Sequence, residues 1–226
     1  MKIGEAKINF LGDSITEGAG ASRWENCFVK RIEAVTGAVC RNYGIGGTRI
    51  AAQKKPSFYQ NWDKDFCSRA EEMDSDADAV VVFGGTNDFG HGDALIGAMS
   101  DRTPETFYGA LHFLYTSLIN KYPDALILIL TPIHRLNEDN PRGEGYKTRD
   151  SLNLKGYVEI IREVAEYYSL PVLDLYKSSG LQPNVPILNK KYFSDGIHPN
   201  DNGHRVIANK IIQAVSVCLD SLDKIG

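Results

Sequence analysis

The chain has 226 residues, 42% of them hydrophobic and 24% charged, and a formal net charge of −4. A chain of this length buries enough surface to fold as one domain, residues 1–226, with no disulfide or metal staple. The acidic balance and the lack of a basic block argue against nucleic acid as a partner, and no apolar run approaches the roughly 18 residues of a membrane span.

The four cysteines, Cys27, Cys40, Cys67 and Cys218, form no Cys-x-x-Cys pair and have no histidine at zinc-site spacing. They read as reduced, mainly buried thiols of a cytoplasmic protein. Near the start, Ile8–Leu11 is too short for the apolar core of a signal peptide.

Ala6–Leu11 predicts a first strand, running directly into Gly12-Asp13-Ser14-Ile15-Thr16-Glu17-Gly18. A helix is expected over Trp24–Thr36, with Phe28, Ile32 and Val35 on one face and Gly37 as its stop. Ala38–Tyr43 predicts a second strand, ending in Gly44-Ile45-Gly46-Gly47. Asp78–Phe83 contains the unbroken apolar run Val80–Phe83, which fits a strand covered on both faces, and ends in Gly84-Gly85-Thr86-Asn87-Asp88. Pro104–Tyr122 predicts a helix capped by Thr103 with Pro104 at its first position. Ala125–Leu130 predicts a fourth strand, and a polar stretch follows over Asn137–Asp150. A helix over Ser151–Tyr168, a fifth strand over Pro171–Leu175 and a last helix over Asn202–Leu222 complete the pattern. Strand–helix alternation of this kind predicts a three-layer α/β/α domain around a five-stranded parallel sheet.

In such sheets, sites form at the carboxyl ends of strands. Ser14, Gly44–Gly47 and Gly85–Asp88 all fall there, and Asp195-Gly196-Ile197-His198-Pro199 lies in the loop after the last strand. A serine hydroxyl is a weak nucleophile unless an imidazole takes its proton and a carboxylate orients that imidazole. Ser14, His198 and Asp195 offer the three parts. The backbone N–H of Ser14, the backbone N–H of Gly47 and the side-chain amide of Asn87 are candidate donors to the oxyanion of acyl transfer, with Gly46 beside Gly47 as an alternative. A helix N-cap is the plainer reading of Asp88.

Gly12-Asp13-Ser14-Ile15, Gly47, Gly85-x-Asn87-Asp88 and Asp195-x-x-His198, in this order and each at a strand end, resemble the four blocks of the SGNH hydrolase superfamily, the GDSL esterases and lipases. The resemblance spans almost the whole chain. It departs from the pattern mildly, with Ile15 where the name-giving block has leucine. It implies a flavodoxin-like α/β/α fold and ester hydrolysis without a metal or other cofactor. It also implies catalytic roles for Ser14, Asp195 and His198, with Ser14, Gly47 and Asn87 forming the oxyanion hole.

The substrate is less legible. The segments Phe89–Arg102 and His134–Tyr146 are expected to line the pocket; both are polar and rich in glycine rather than an apolar lid. That favours short acyl groups, such as O-acetyl on carbohydrates, over lipid interfaces. Asp13, Arg49, His91 and His134 are candidate substrate contacts, and Trp24, Tyr59 and Trp62 could stack on a sugar. His112 and His204 read as non-catalytic. A longer acyl pocket would instead make the enzyme a lysophospholipase or thioesterase. Two readings from other classes are a metal-dependent hydrolase using Asp13, Asp88, Asp195 and His198 as ligands, and a non-catalytic ligand-binding module. No Gly-x-Ser-x-Gly elbow, dinucleotide fingerprint or Walker lysine motif occurs.

Overall fold

Strand-forming runs of Val, Ile, Leu and Phe produce five strands: β1 (Lys7–Gly12), β2 (Val39–Gly44), β3 (Ala79–Phe83), β4 (Leu126–Leu130) and β5 (Val172–Leu173). They pair in parallel in the order β2-β1-β3-β4-β5. This is a computed structural model, and it describes residues 1–145, 147 and 151–222, without side chains for 221 and 222. Between the strands run α1 (Ser14–Glu17), α2 (Phe28–Thr36), α3 (Phe66–Arg69), α4 (Thr86–Gly90), α5 (Phe107–Lys121) and α6 (Leu154–Tyr167), and after the last strand come α7 (Leu175–Ser178), α8 (Pro186–Tyr192) and α9 (Asp201–Leu222).

Side chains alternate between the faces of a strand, so each central strand feeds two cores. Leu11, Val80, Val82, Ile127 and Ile129 pack against Leu111 and Leu114 of α5 and Val158 and Ile161 of α6. Ile8, Phe10, Val81, Phe83 and Leu128 pack on the other face against Phe28 and Ile32 of α2 and Ile207 and Ile211 of α9. The predicted three-layer fold and five-stranded parallel sheet are therefore what the chain adopts. Among the described residues, no helix is long and apolar enough to cross a membrane.

Register sets where the site can form. Gly12 stands opposite Gly44 and Phe83, and Phe83 opposite Leu130, so four strands end at nearly one level. The strand order reverses between β2 and β3 around β1, which opens a crevice above the carboxyl ends of β1 and β3.

Several boundaries differ from expectation, for local reasons. The helix expected from Pro104 begins at Phe107, and Thr106, not Thr103, caps it by accepting from Gly109 N–H. Residues 103–105 before it form a bend and turn instead: Ala52 N–H donates to the Pro104 carbonyl, and Phe107 N–H donates to the Leu95 carbonyl. The helix expected from Trp24 divides into a 3₁₀ turn at Trp24–Asn26 and α2. Helix α6 starts at Leu154 because the Asn153 side chain accepts from Gly156 N–H. The fifth strand shortens to Val172–Leu173 because Asp174 turns the chain, accepting from Lys177 N–H to cap α7. Helix α8, with Pro186 in its first turn, was not anticipated.

One buried cation ties the strand ends together. Arg69, only 5% exposed, donates to the carbonyls of Gly12, Tyr43 and Lys64 and to the Thr48 hydroxyl. Truncating it leaves several acceptors unsatisfied in an apolar setting, which costs about 1–3 kcal/mol per group. Arg69→Ala should therefore lower unfolding stability by about 3 kcal/mol or more in urea titration; a loss below about 1 kcal/mol would show that water or neighbouring donors replace it.

Candidate active site

Ser14 emerges where β1 ends. Asp13 caps α1, its Oδ1 accepting from Ile15 N–H at 3.0 Å, so the serine occupies the first helical position with its side chain facing the crevice. Its Oγ lies 3.0 Å from His198 Nε2, across 184 positions of sequence. His198 Nδ1 lies 2.7 Å from Asp195 Oδ2. A carboxylate only accepts, so Nδ1 carries the ring proton and Nε2 is left to accept from the serine hydroxyl. Asp195 Oδ1 also accepts from the backbone N–H groups of Ile197 and His198. Partial burial works against the Asp195 charge, but the His198 ring N–H and these two backbone donors outweigh it and hold its carboxyl below the ordinary value.

The Asp195–His198 turn is held from three sides. Phe193 and Pro199 bridge its base, and Ser194 N–H donates to the His198 carbonyl. Leu136 N–H donates to the Gly196 carbonyl, and Gly196 takes φ +83 against the Leu136 side chain. Ser22 and Asn26 clasp Asp201 at the start of α9, and Gly20 packs close to the His198–Pro199 backbone. The sequence reading passed over this 20–26 clasp.

Gly47 has φ +75, and a Cβ there would meet the Trp62 ring at 2.1 Å, so neither the backbone nor the space admits a larger residue. Among the described residues, no backbone acceptor takes the Gly47 N–H. Asn87, in the first turn of α4, uses one amide hydrogen on the Thr48 carbonyl at 3.0 Å, and the second remains available.

Asp88 is not an N-cap: Gly85 occupies that position, and Asp88 reaches across to accept from Ile50 and Ala51 N–H at 2.9 and 3.0 Å. It thereby locks the segment after β2 onto α4. Burial pushes its carboxyl above the ordinary value against the pull of these two donors. Asp13 is 2% exposed beneath the serine, where it shapes α1 and offers a substrate almost no surface. Among the described residues, Asp13, Asp88, Asp195 and His198 do not converge as a metal-ligand group.

A cleft of about 470 Å³, lined in part by Arg49, Lys54, Phe58, Trp62, His91 and Asp93, meets Gly47 through the Trp62 ring and is not itself lined by Ser14, Asn87, Asp195 or His198. Its main wall is the 49–62 segment, which the sequence reading did not single out as a wall; Gly92 to Ala94, Lys147 and Ser151 close the rest. Of the first expected lining segment only His91 to Ala94 line the cleft, and of the second none of residues 134–145 does; residue 146 lies outside the described residues, as do 148–150 of the polar stretch. Arg49 Nη1 donates to His91 Nδ1 at 3.0 Å, and Nη2 to Ser57 and Asp63. Burial, then the Arg49 charge, pushes the His91 imidazole down to about 4, so it is neutral. His134 sits outside this cleft, bonded through Nδ1 to Glu138 and packed on Tyr176. Trp24 is also outside it, its ring covered by the Lys30 ammonium. His204 is buried, donating to the Ala19 carbonyl and accepting from Phe28 N–H, and His112 is buried against Tyr168.

Burial raises the Asp13 carboxyl from 3.8 to about 6. A carboxyl whose folded value lies above its unfolded one holds its proton longer when folded, so its contribution to stability is present at low pH and is lost as pH rises from about 4 to about 6. Asp13→Asn keeps an acceptor for Ile15 N–H and removes this titration. Over that window its urea midpoint should fall less, or rise more, with pH than the wild-type midpoint; an unchanged pH slope would count against a buried ionisable Asp13.

The sequence matches the model of the GDSL-like lipase/acylhydrolase family over residues 10–206. A solved protein from Lactobacillus plantarum is 30% identical, with 96% of this chain and 97% of that one covered and a TM-score of 0.77. The lipase/acylhydrolase from Enterococcus faecalis is 22% identical, covers 93% of this chain and 95% of that one, and has a TM-score of 0.62. An acetyl xylan esterase, AlAXEase, shares the fold at 24% identity and a TM-score of 0.60, over 92% of this chain and 99% of that one. Among curated proteins, none matches the sequence. With the family model spanning most of the chain, the protein belongs to the GDSL-like lipase/acylhydrolase family and is an ester hydrolase.

Proposed function

We propose that the protein is a serine esterase that removes short acyl groups, O-acetyl above all, from carbohydrates. The observation that carries the mechanism is the hydrogen-bonded series Ser14 Oγ, His198 Nε2, His198 Nδ1, Asp195 Oδ2, at 3.0 and 2.7 Å. In this reading Ser14 Oγ attacks the ester carbonyl and its proton passes to His198 Nε2. Asp195 then holds the imidazolium. The carbonyl oxygen becomes an oxyanion, received by the N–H groups of Ser14 and Gly47 and by the second amide hydrogen of Asn87. His198 returns the proton to the leaving alcohol as the tetrahedral species collapses to an acyl-enzyme. Water, deprotonated by the same imidazole, then releases the acid and restores the serine.

The carbohydrate preference rests on the wall beside Gly47. Phe58, Tyr59, Trp62 and His91 form a continuous series of ring contacts, with centroids 4.9, 4.9 and 4.5 Å apart. Phe58 is 90% exposed. This aromatic surface, open at Phe58 and meeting Gly47 at Trp62, suits the C–H surface of a sugar ring. The acetyl xylan esterase that shares the fold makes O-acetyl sugars a natural first substrate class.

Hydrolysis of p-nitrophenyl esters from acetate to palmitate should favour acetate, survive EDTA, and fall by roughly 10⁴-fold or more in Ser14→Ala. Wild-type turnover in Ser14→Ala would overturn the serine mechanism, loss in EDTA alone would favour a metal mechanism, and a palmitate preference would move the substrate to lipids or thioesters. Asn87→Ala should lower kcat by about 10²–10³ with little change in KM, in keeping with loss of one oxyanion donor; an unchanged kcat would remove Asn87 from that role.

A further inference from the structure

The cleft whose Trp62 wall meets Gly47 carries a charge that hydrolysis of a neutral ester leaves unused. Four cations, Arg49, Lys54, Lys55 and Lys147, line it against one carboxylate, Asp93, in a chain of net charge −4. Two of the four are occupied within the protein. Arg49 is buried and engaged with His91, Ser57 and Asp63. Lys147 donates to the Asp88 carbonyl and the Tyr157 hydroxyl. The other two are placed differently. Asp93 accepts from the backbone N–H groups of Lys54 and Lys55 at 2.8 and 2.9 Å, which anchors the backbone of both residues to the cleft wall. Gln53 completes the clasp by accepting from Asp93 N–H. The ammonium groups themselves find no hydrogen-bond or ion-pair partner among the described residues.

The same cleft presents Phe58 and Trp62. One ligand chemistry uses both features: a sugar ring laid on an aromatic face, with an anionic substituent directed to the two ammonium groups. We propose that this cleft is the subsite for an anionic sugar unit of the ester substrate, bearing a carboxylate or a phosphate, and that Lys54 and Lys55 select for that charge. The inference rests on the serine-esterase reading and extends it to the substrate class. The two lysines are exposed, so their effect is moderate, falls with salt and acts on substrate capture rather than on the chemical step.

The test compares O-acetylated methyl glucoside with O-acetylated methyl glucuronide and O-acetylated glucose 6-phosphate, at about 20 and 200 mM salt. The wild type should show kcat/KM at least about fivefold higher for one charged ester than for the neutral one, mainly through KM. The preference should shrink at high salt and in the Lys54→Ala, Lys55→Ala double variant. Which charged ester leads tells carboxylate from phosphate. A wild type that turns over p-nitrophenyl acetate yet treats charged and neutral sugars alike would overturn the subsite and leave the esterase reading standing, as would a double variant that keeps the preference. Failure to turn over p-nitrophenyl acetate would instead bring down the esterase reading. Calorimetric binding of glucuronate and glucose 6-phosphate to Ser14→Ala tests the subsite without catalysis, and no heat for either anion would also overturn it.

Discussion

A single buried guanidinium holds the strand ends on which the site is built. Arg69 comes from α3, well away in sequence from β1 and β2, yet it reaches the Gly12 carbonyl, the Tyr43 carbonyl and the Thr48 hydroxyl together. Burial lowers its own value to about 10, so it stays charged at neutral pH. A buried cation without acceptors would be costly, and carbonyls at strand ends without donors would be too. Each solves the other's problem, and the geometry that results leaves Ser14 and the Gly44–Gly47 turn side by side.

The remaining supports repeat this logic with carboxylates. Asp13 caps the helix that carries Ser14. Asp88 clamps the Ile50–Ala51 backbone onto α4, next to Asn87. Asp195 gathers three N–H groups of its own turn and fixes the ring of His198. In each case a side chain satisfies backbone donors that loop structure would otherwise leave open; the hydrogen bonds outweigh the cost of burying the charge at Asp195 and offset it only in part at Asp13 and Asp88. Preorganised donors and acceptors of this kind are what acyl transfer requires, because they need not rearrange as charge develops. The Asp195–His198 pair is the most exposed of these, with side chains 51% and 26% accessible.

The fold was largely legible because its signals are local. Unbroken apolar runs such as Val80–Phe83 belong to strands covered on both faces, and alternation with amphipathic helices points to a parallel sheet. Element ends were read less well, since they depend on which partner satisfies the backbone. Thr103 and Thr106 are equally good caps by residue type; the turn at 103–105, held by Ala52 N–H on the Pro104 carbonyl, and the bridge of Thr106 to Leu95 decided for Thr106. Pro171–Leu175 reads as a strand throughout, but the Asp174 side chain competes for the backbone and ends it after Leu173. Helix α8 has weak periodicity and no buried residue of its own, so little in the sequence announced it.

Fold class, and which residues could meet at the crevice, follow from the order of residues along the chain, because parallel topology sends every loop after a strand to one end of the sheet. Ser14, Gly47, Asn87, Asp195 and His198 were marked by type and position alone, and the structure brings Ser14, His198 and Asp195 into hydrogen-bonded series. Only the tertiary structure decided the parts that depend on long-range contact. It put Asp13 under the serine rather than toward a substrate, gave Asp88 to the Ile50–Ala51 backbone, left Trp24 and His134 outside the cleft, and made the 49–62 segment its main wall. A residue type states what a side chain can bond to; which groups lie within reach is a property of packing, and packing brings together segments that are distant along the chain.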